Sequence, residues 1–259
     1  MQPDRQTGPN SLLSIYWTEL LTAKRPPQRK TKSAPLSSDS IIAAAIHLLD
    51  SQGLDNFSIR NIAKALGVYP TALYWHVPNR HQLIARLMAA LFADVLPPPD
   101  PDWQAWLKAL FRRYRDVVRA HPNISPLIGG HLVSSASVDL DLVEGILATL
   151  RKTGFANDDL VDAYNTVIAG LCGYATQEFA HVFPDPAGDL KHSLTANIKA
   201  ADPTLYPTLA AERDRLLNHA LMLRWQNGSG SSLESGFEMY TDALIAGLAR
   251  KAAQIKSSV

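Results

Sequence analysis

With 259 residues and 46% hydrophobic content, the chain is long and apolar enough for two packed units, which excludes a disordered polymer. The formal charge is only +1, yet nine Lys/Arg lie between Lys24 and Arg86 against Asp39, Asp50 and Asp55, so the remainder is net acidic. A single cysteine, Cys172, excludes an internal disulfide framework, and no apolar run reaches the roughly 18 residues needed to span a membrane.

Residues 1–36 read as an extension before the folded core. Leu13, Tyr16, Trp17 and Leu20 are spaced for a short amphipathic helix. Lys24, Arg25, Arg29, Lys30 and Lys32 follow, interleaved with Pro26, Pro27 and Pro35, which keep this stretch extended. Two readings stand: a basic arm lying along phosphates or in a minor groove, or a solvated tail. Glu19 interrupts the apolar Leu12–Leu21 stretch and no cleavage signal flanks it, so no signal peptide is read and a cytoplasmic location is expected.

The first core helix is predicted from Asp39 to Gln52, capped by Ser38, with Ile42, Ala45, Ile46 and Leu49 inward and Gly53 closing it. Leu54 and Phe57 are expected to pack beneath the elements that follow. Ser58 caps a helix to about Leu66 with Ile59, Ile62, Ala63 and Leu66 in its buried stripe. Gly67 supplies a tight turn, and Pro70 suits the first turn of a second short helix, where its missing N–H costs nothing. Ala72, Leu73 and Val77 face inward, and Pro78 ends that helix. Asn79 with Gln82 reads as a capping box for a helix from Arg80 to about Leu96.

Pro97, Pro98, Pro99 and Pro101 then break the chain, and the domain boundary is placed there. Further helices are predicted over Trp103–Ala120, Asp139–Lys152, Asn157 (as cap) to Phe183, Leu209–Gln226 and Leu233–Lys256. A short irregular segment holds Gly129 and Gly130, 184–206 is read as a flexible connection, and 227–232 as a loop. Strand alternation is absent throughout. The fold class is therefore all-α: an N-terminal three-helix helix-turn-helix domain over 37–96 and a larger helical domain over 102–256.

No catalytic constellation emerges. The eight histidines form no H-x-x-x-H pair, and the Gly/Ser loop at 228–232 lacks the strand–turn–helix setting of a nucleophile elbow. Cys172, inside an apolar helical pattern, reads as a buried inert thiol. Neither an enzyme, a metal site nor a cofactor is expected.

Two short helices joined by Leu66-Gly67-Val68, the second presenting Tyr69, Thr71, Tyr74, Trp75 and His76, have the build of a helix-turn-helix whose second helix enters the major groove. The segment SIRNIAKALGVYPTALYWHVPNRHQL (58–83), above all Leu73 to Val77, resembles the DNA-binding segment of the tetracycline-repressor (TetR) family. The resemblance implies that Tyr74, His76 and Arg80 meet phosphates, with Ser58 adding a contact. Arg60 and the helix start then read bases: Tyr69, Pro70, Thr71 and Ala72, with Trp75 half core and half contact.

The resemblance continues more weakly through Trp103, His121-Pro122, Gly154-Phe155 and the Gly173–His181 run. It implies a ligand-sensing and dimerising body in which helices 157–183 and 233–256 of two subunits form a four-helix bundle. Ala169, Gly170, Gly173 and Ala175 on one helix, and Ala243, Ala246, Gly247 and Ala249 on the other, would permit close approach. The implied partners are double-stranded DNA, a second copy and a small inducer. Phe92, Leu110, Ile128 and Ile146 stand where the drug repressor uses polar groups to hold tetracycline and magnesium. Apolar groups cannot serve a hard cation, so a mainly apolar or aromatic inducer is expected. Its lining would be Phe92, Trp106, Leu110, Tyr114, Ile128, Ile146 and Phe179, with His131, Gln177 and His181 to orient it. Plain core packing is the alternative for each aromatic, and an activator or architectural DNA-binding protein without a ligand is the alternative function. Deleting residues 1–34 and measuring the salt slope of DNA binding separates the two readings of the extension: a shallower slope belongs to an arm on phosphates, an unchanged one to a tail.

Overall fold

The first core helix begins one residue earlier than its sequence pattern indicates, because Ser37 and not Ser38 caps it. Ser40 donates its backbone N–H to Ser37 Oγ at 3.1 Å while Ser37 N–H donates to Ser40 Oγ at 3.0 Å, a reciprocal box that fixes the start of α1 (Ser38–Gln52). The computed structural model describes residues 36–128, 139–180 and 188–257, and their regular structure is helical throughout. The expectations for 1–35, His131 and His181 lie outside the described residues. None of the described helices is long and apolar enough to cross a membrane.

α1 buries Ile41, Ile42, Ala45, Leu48 and Leu49, whereas Ile46 is only half-buried, so the inward stripe is rotated from the one expected. Gly53 ends it at φ 73°, and Phe57 is buried beyond it. α2 (Ile59–Leu66), α3 (Pro70–Tyr74) and α4 (Arg80–Leu91) complete the N-terminal cluster. α4 is shorter than the predicted span. Phe92 ends it at φ −99°, ψ 7°, and Val95 drops into the core from the following turn.

α5 (Trp103–Ala120) has the predicted bounds and carries the central stripe of the body: Trp106, Leu107, Leu110, Phe111, Tyr114 and Val118. A 3₁₀ turn (Pro122–Ile124) follows. Around α5 pack α6 (Leu140–Thr153), α7 (Asn157–Glu178) and α10 (Glu234–Ser257), which contribute Ile146 and Leu150, Val167 and Leu171, and Phe237, Ile245 and Leu248. Asn157 is not the cap of α7; it is its first residue, at φ 49°, and Ala156 precedes it without a side-chain cap.

Two stretches correct the sequence reading. Within 184–206, read as a flexible connection, residues 189–199 form α8 (Asp189–Lys199). The predicted helix Leu209–Gln226 is α9 (Pro207–Leu216) alone. Asn218 then takes φ 63°, and its Oδ1 accepts from the N–H groups of Trp225 and Gln226 at 3.2 and 3.1 Å. That side chain closes a turn in place of further helix.

One ion pair was not foreseen. Arg115, only 2% exposed, donates through Nε and Nη2 to Glu178 at 2.7 and 2.8 Å and through Nη1 to Glu234 at 2.6 Å. Its guanidinium lies 4.4 Å from the Phe237 ring centroid. Burial alone would lower the Arg115 pKa, but the hydrogen bonds it donates to both carboxylates outweigh that and hold it above its ordinary value. Glu178 also accepts from Leu233 N–H at 3.2 Å, so one buried pair ties α5, the end of α7 and the start of α10. Nearer the surface, Lys108 and Arg112 bind Glu238 at 3.1 and 2.8 Å and Lys108 binds Asp242 at 2.6 Å.

The two ion clusters differ in worth. Glu178→Ala strands a buried guanidinium with only the exposed Glu234, and a loss of about 3–5 kcal/mol is expected in urea unfolding; a loss below about 1 kcal/mol would mean that Glu234 suffices. Hydrogen bonds from Arg115 hold Glu234 below the ordinary carboxylate value, and Arg112 does the same for Glu238. Depressed folded values contribute stability above the ordinary value of 4.5 that is lost as pH falls through the folded ones, so the melting point should decline below that pH, less steeply in high salt.

Candidate DNA-binding interface

α2 starts where Asn61 donates its backbone N–H to Ser58 Oγ at 3.2 Å, and Asn61 Nδ2 donates to Asn56 O at 2.8 Å. The Ser58 hydroxyl hydrogen remains free to donate outward. At the other end Gly67 takes φ 68°, ψ 27°, a left-handed conformation that a side chain would penalise. The N–H of Val68 returns to Ala63 O at 3.0 Å, and the chain turns directly into α3. Pro70 opens that helix.

α3 has five residues and one fully buried side chain, Leu73, at 1% exposure; Val77 anchors the chain just beyond it. Tyr69 is 83% exposed, Trp75 91%, and Tyr74 and Thr71 are exposed as well. Trp75 is therefore not half core, as expected from the sequence, because Leu73 and Val77 fill the space behind the helix. Ala72, Pro70, His76 and Ser58 are half-buried, at the edge of the face. Arg60 and Arg80 are exposed, and the Arg80 guanidinium sits 5.9 Å from the Phe57 ring centroid, which holds it beside the helix pair. The named DNA-contact candidates thus lie on or beside one helix pair, with aromatic and hydroxyl groups on α3 and cations on its flanks.

Lys64 was missed. It joins Arg60, Asn61, Val68 and Pro70 in lining a shallow hollow between α2 and the start of α3. The signal was present, since Lys64 follows Arg60 by four residues and so shares its helix face. Arg86 was also missed; it donates to Ser38 Oγ and to His76 O from α4. Among residues 36–86 the charge is nearly balanced, so the basic excess read from the sequence rests on residues 24–32, outside the described ones.

In the body, Phe92, Trp106, Leu110, Tyr114, Ile128, Ile146 and Phe179 are all buried in the core, while Gln177 is exposed on α7. Phe92 and Tyr114 pack with their ring centroids 4.7 Å apart and their planes tilted by 35°. The Tyr114 hydroxyl lies 3.9 Å from Cys172 Sγ. Burial pushes Tyr114 well above its ordinary value and pushes the Cys172 thiol up too, which disfavours its thiolate form. No group of three His, Cys, Asp or Glu suited to a metal ion occurs among the described residues.

Residues 41–87 match the family described as "Bacterial regulatory proteins, tetR family", and residues 96–251 match "Tetracyclin repressor-like, C-terminal domain". An HTH-type transcriptional regulator from Saccharopolyspora erythraea is 28% identical over 187 residues, which cover 71% of this chain and 78% of that protein. The class E tetracycline repressor protein from Escherichia coli is 38% identical over 151 residues, covering 57% and 71%. Among solved structures, apo ActR from Streptomyces coelicolor superposes with a TM-score of 0.66 at 24% identity, covering 85% of this chain and 98% of that one. ActR in complex with actinorhodin gives 0.64 at 24% identity, covering 83% and 99%.

Arg60→Ala should weaken DNA binding by about 1–3 kcal/mol and blur one base position. Fluorescence anisotropy on sites randomised position by position checks this, and equal loss on every sequence would reduce Arg60 to a phosphate clamp.

Proposed function

The chain belongs to the tetR family of bacterial regulatory proteins, and from that premise we propose that it is a homodimeric repressor, binding a palindromic operator and released by a mainly apolar or aromatic small molecule. The observation that carries the DNA half is α3 itself, which is anchored by Leu73 and Val77 and bare at Tyr69, Thr71, Tyr74 and Trp75. Residues 37–96 act as the reading head and 102–256 as the sensing and dimerising body. Tyr74, His76, Arg80 and Ser58 meet phosphates, while Arg60, Tyr69, Pro70, Thr71 and Ala72 face base edges.

The small residues of α7 and α10 support the dimer. A Cβ built on Gly173 or Gly247 meets nothing within 4 Å, and Ala169, Ala243 and Ala246 are exposed. Gly170 is different, since a Cβ there would sit 2.7 Å from Leu244 and 2.8 Å from the Tyr240 hydroxyl of its own chain, and Ala175 is buried. The stripe thus divides: part packs within the subunit, and part is left open for a second copy. A lone five-residue reading helix recognises too few bases, and two heads one turn apart solve that.

Supporting the ligand half, the core centred on Phe92, Trp106, Leu110, Tyr114, Ile128, Ile146 and Phe179 is aromatic and aliphatic, with the Tyr114 hydroxyl as its polar handle. A protein of the same fold, ActR, is seen in complex with actinorhodin. Ligand entry would displace packed side chains and move α4, whose capping residue Phe92 packs against Tyr114, so that the reading heads separate. Induction is set by the ligand's preference for the separated state.

Gly247→Phe should convert the dimer to a monomer in sedimentation equilibrium while its helix content persists. Selection of sites from random duplex DNA should return inverted half-sites about 10 bp apart, centre to centre, and a wild-type monomer or asymmetric sites would refute the symmetric reading. A ligand found by its rise in melting point should also weaken operator binding; one that leaves operator affinity untouched would be no inducer.

A further inference from the structure

We infer that Arg86 is a positioning residue for DNA reading: from α4 it clamps the carboxyl end of the recognition helix to the amino end of α1. This rests on the proposed role of α3 in the major groove. One guanidinium nitrogen, Nη1, donates to His76 O at 2.9 Å and to Ser38 Oγ at 3.0 Å. An Nη group carries two hydrogens, so both bonds are made at once.

The placement matters because α3 is too short to hold itself. A five-residue helix leaves its last carbonyls without intrahelical partners. Leu73 O accepts from the N–H groups of His76 and Val77, at 2.9 and 2.7 Å. His76 O, three residues further on, accepts from Arg86. A cation at a helix carboxyl end is also the favoured sign. His76, whose side chain is a proposed phosphate contact, therefore has its backbone fixed by a residue ten positions later. Ser38 lies in the first turn of α1, whose buried face underlies α2 and α4. Arg86 thus relates the tip of the reading helix to the floor of the head. Apolar contact alone would fix the depth of Leu73 and Val77 but would leave the helix freer to swivel about them.

The experiment uses the full chain and a labelled duplex recovered from random DNA by the wild-type protein, with a scrambled duplex of equal length beside it. If the wild type recovers no site, the reading of α3 has failed, and that result is distinct from any result on Arg86. Given a site, Arg86→Ala should lose about tenfold in affinity for it, the scale of one charged hydrogen bond, with scrambled-duplex affinity, salt slope and melting point nearly unchanged. Ser38→Ala should lose less, and in the Arg86→Ala background should lose nothing more, since the two act through one bond. Arg86→Lys should recover part of the affinity. The inference is overturned if Arg86→Ala binds like the wild type, if the two losses add, or if the salt slope falls by about one charge, which marks a direct phosphate contact. Should Arg86→Ala lower the melting point and both affinities together, Ser38→Ala, which keeps the guanidinium, decides: a wild-type melting point with unchanged affinity for the recovered site overturns the inference.

Discussion

A helix of five residues cannot pay its own nucleation cost, and the proposed DNA-reading surface of this protein is built on one. α3 is oriented by the left-handed turn at Gly67, by the proline at its first position and by the burial of Leu73 and Val77 against the rest of the head. That dependence explains the exposed aromatics. Leu73 and Val77 occupy the inward direction, so Tyr69, Tyr74 and Trp75 have only outward directions left. Large apolar groups left in water at such a density mark a surface that is covered in use.

The body is organised by the opposite extreme, a charge pair placed where charges are costly. Arg115 and Glu178 are both fully enclosed, and each removes the penalty of the other. Hydrophobic groups of the same volume would hold the helices at least as firmly, but they would tolerate sliding. The fork of Arg115 on Glu178, with Glu234 on the third nitrogen and Phe237 beneath, tolerates little, because it fixes the register of α5 against the ends of α7 and α10. A helical body that changes shape in response to a ligand needs parts that stay fixed, and this corner has the makings of one.

What could be read from the sequence follows from what burial leaves in it. The bounds of α5 are legible in the sequence because a long amphipathic stripe lies between the Pro97–Pro101 break and the His121-Pro122 stop. The Gly67 turn, the Ser58 cap and Pro70 were legible because each residue type has a backbone reason to be there. α8 buries no side chain, and its Leu190, Leu194 and Ile198 are only three apolar residues among the polar and proline residues of 184–206, which outweigh them in the sequence. The helix predicted through Gln226 ended early because Asn218 can bond to the backbone beyond it, and periodicity does not record that competition. Arg115 was invisible as a core residue because a charged residue on an amphipathic helix is ordinarily on its wet side, and only Glu178, 63 residues away, reverses that. Trp75 was misjudged for the converse reason: its size argues for burial, but the buried position was already taken.

Coupling between body and head has few polar routes among the described residues, and they are specific. Arg113 on α5 donates to Asp94 O just past α4 at 2.7 Å; His121 meets Asp50 at 2.9 Å; Asn123 donates to Leu49 O at the same distance. One route runs through the end of α4 and two through the end of α1, and those are the two helices that Arg86 joins beneath α3. A shift confined to α4 would therefore shear the head against α1, whereas a shift shared by both would carry the head as a block. In the first case reading is lost because the recognition helix is misaimed within each subunit; in the second because the spacing between two intact heads changes. The bonds at His121 and Asn123 favour the second course, since they hold α1 to the same 3₁₀ turn that follows α5. In the proposed mechanism the head would then move as far as the body end of α5 moves it, and the differential affinity of a ligand for two body shapes would be all the free energy available for that motion.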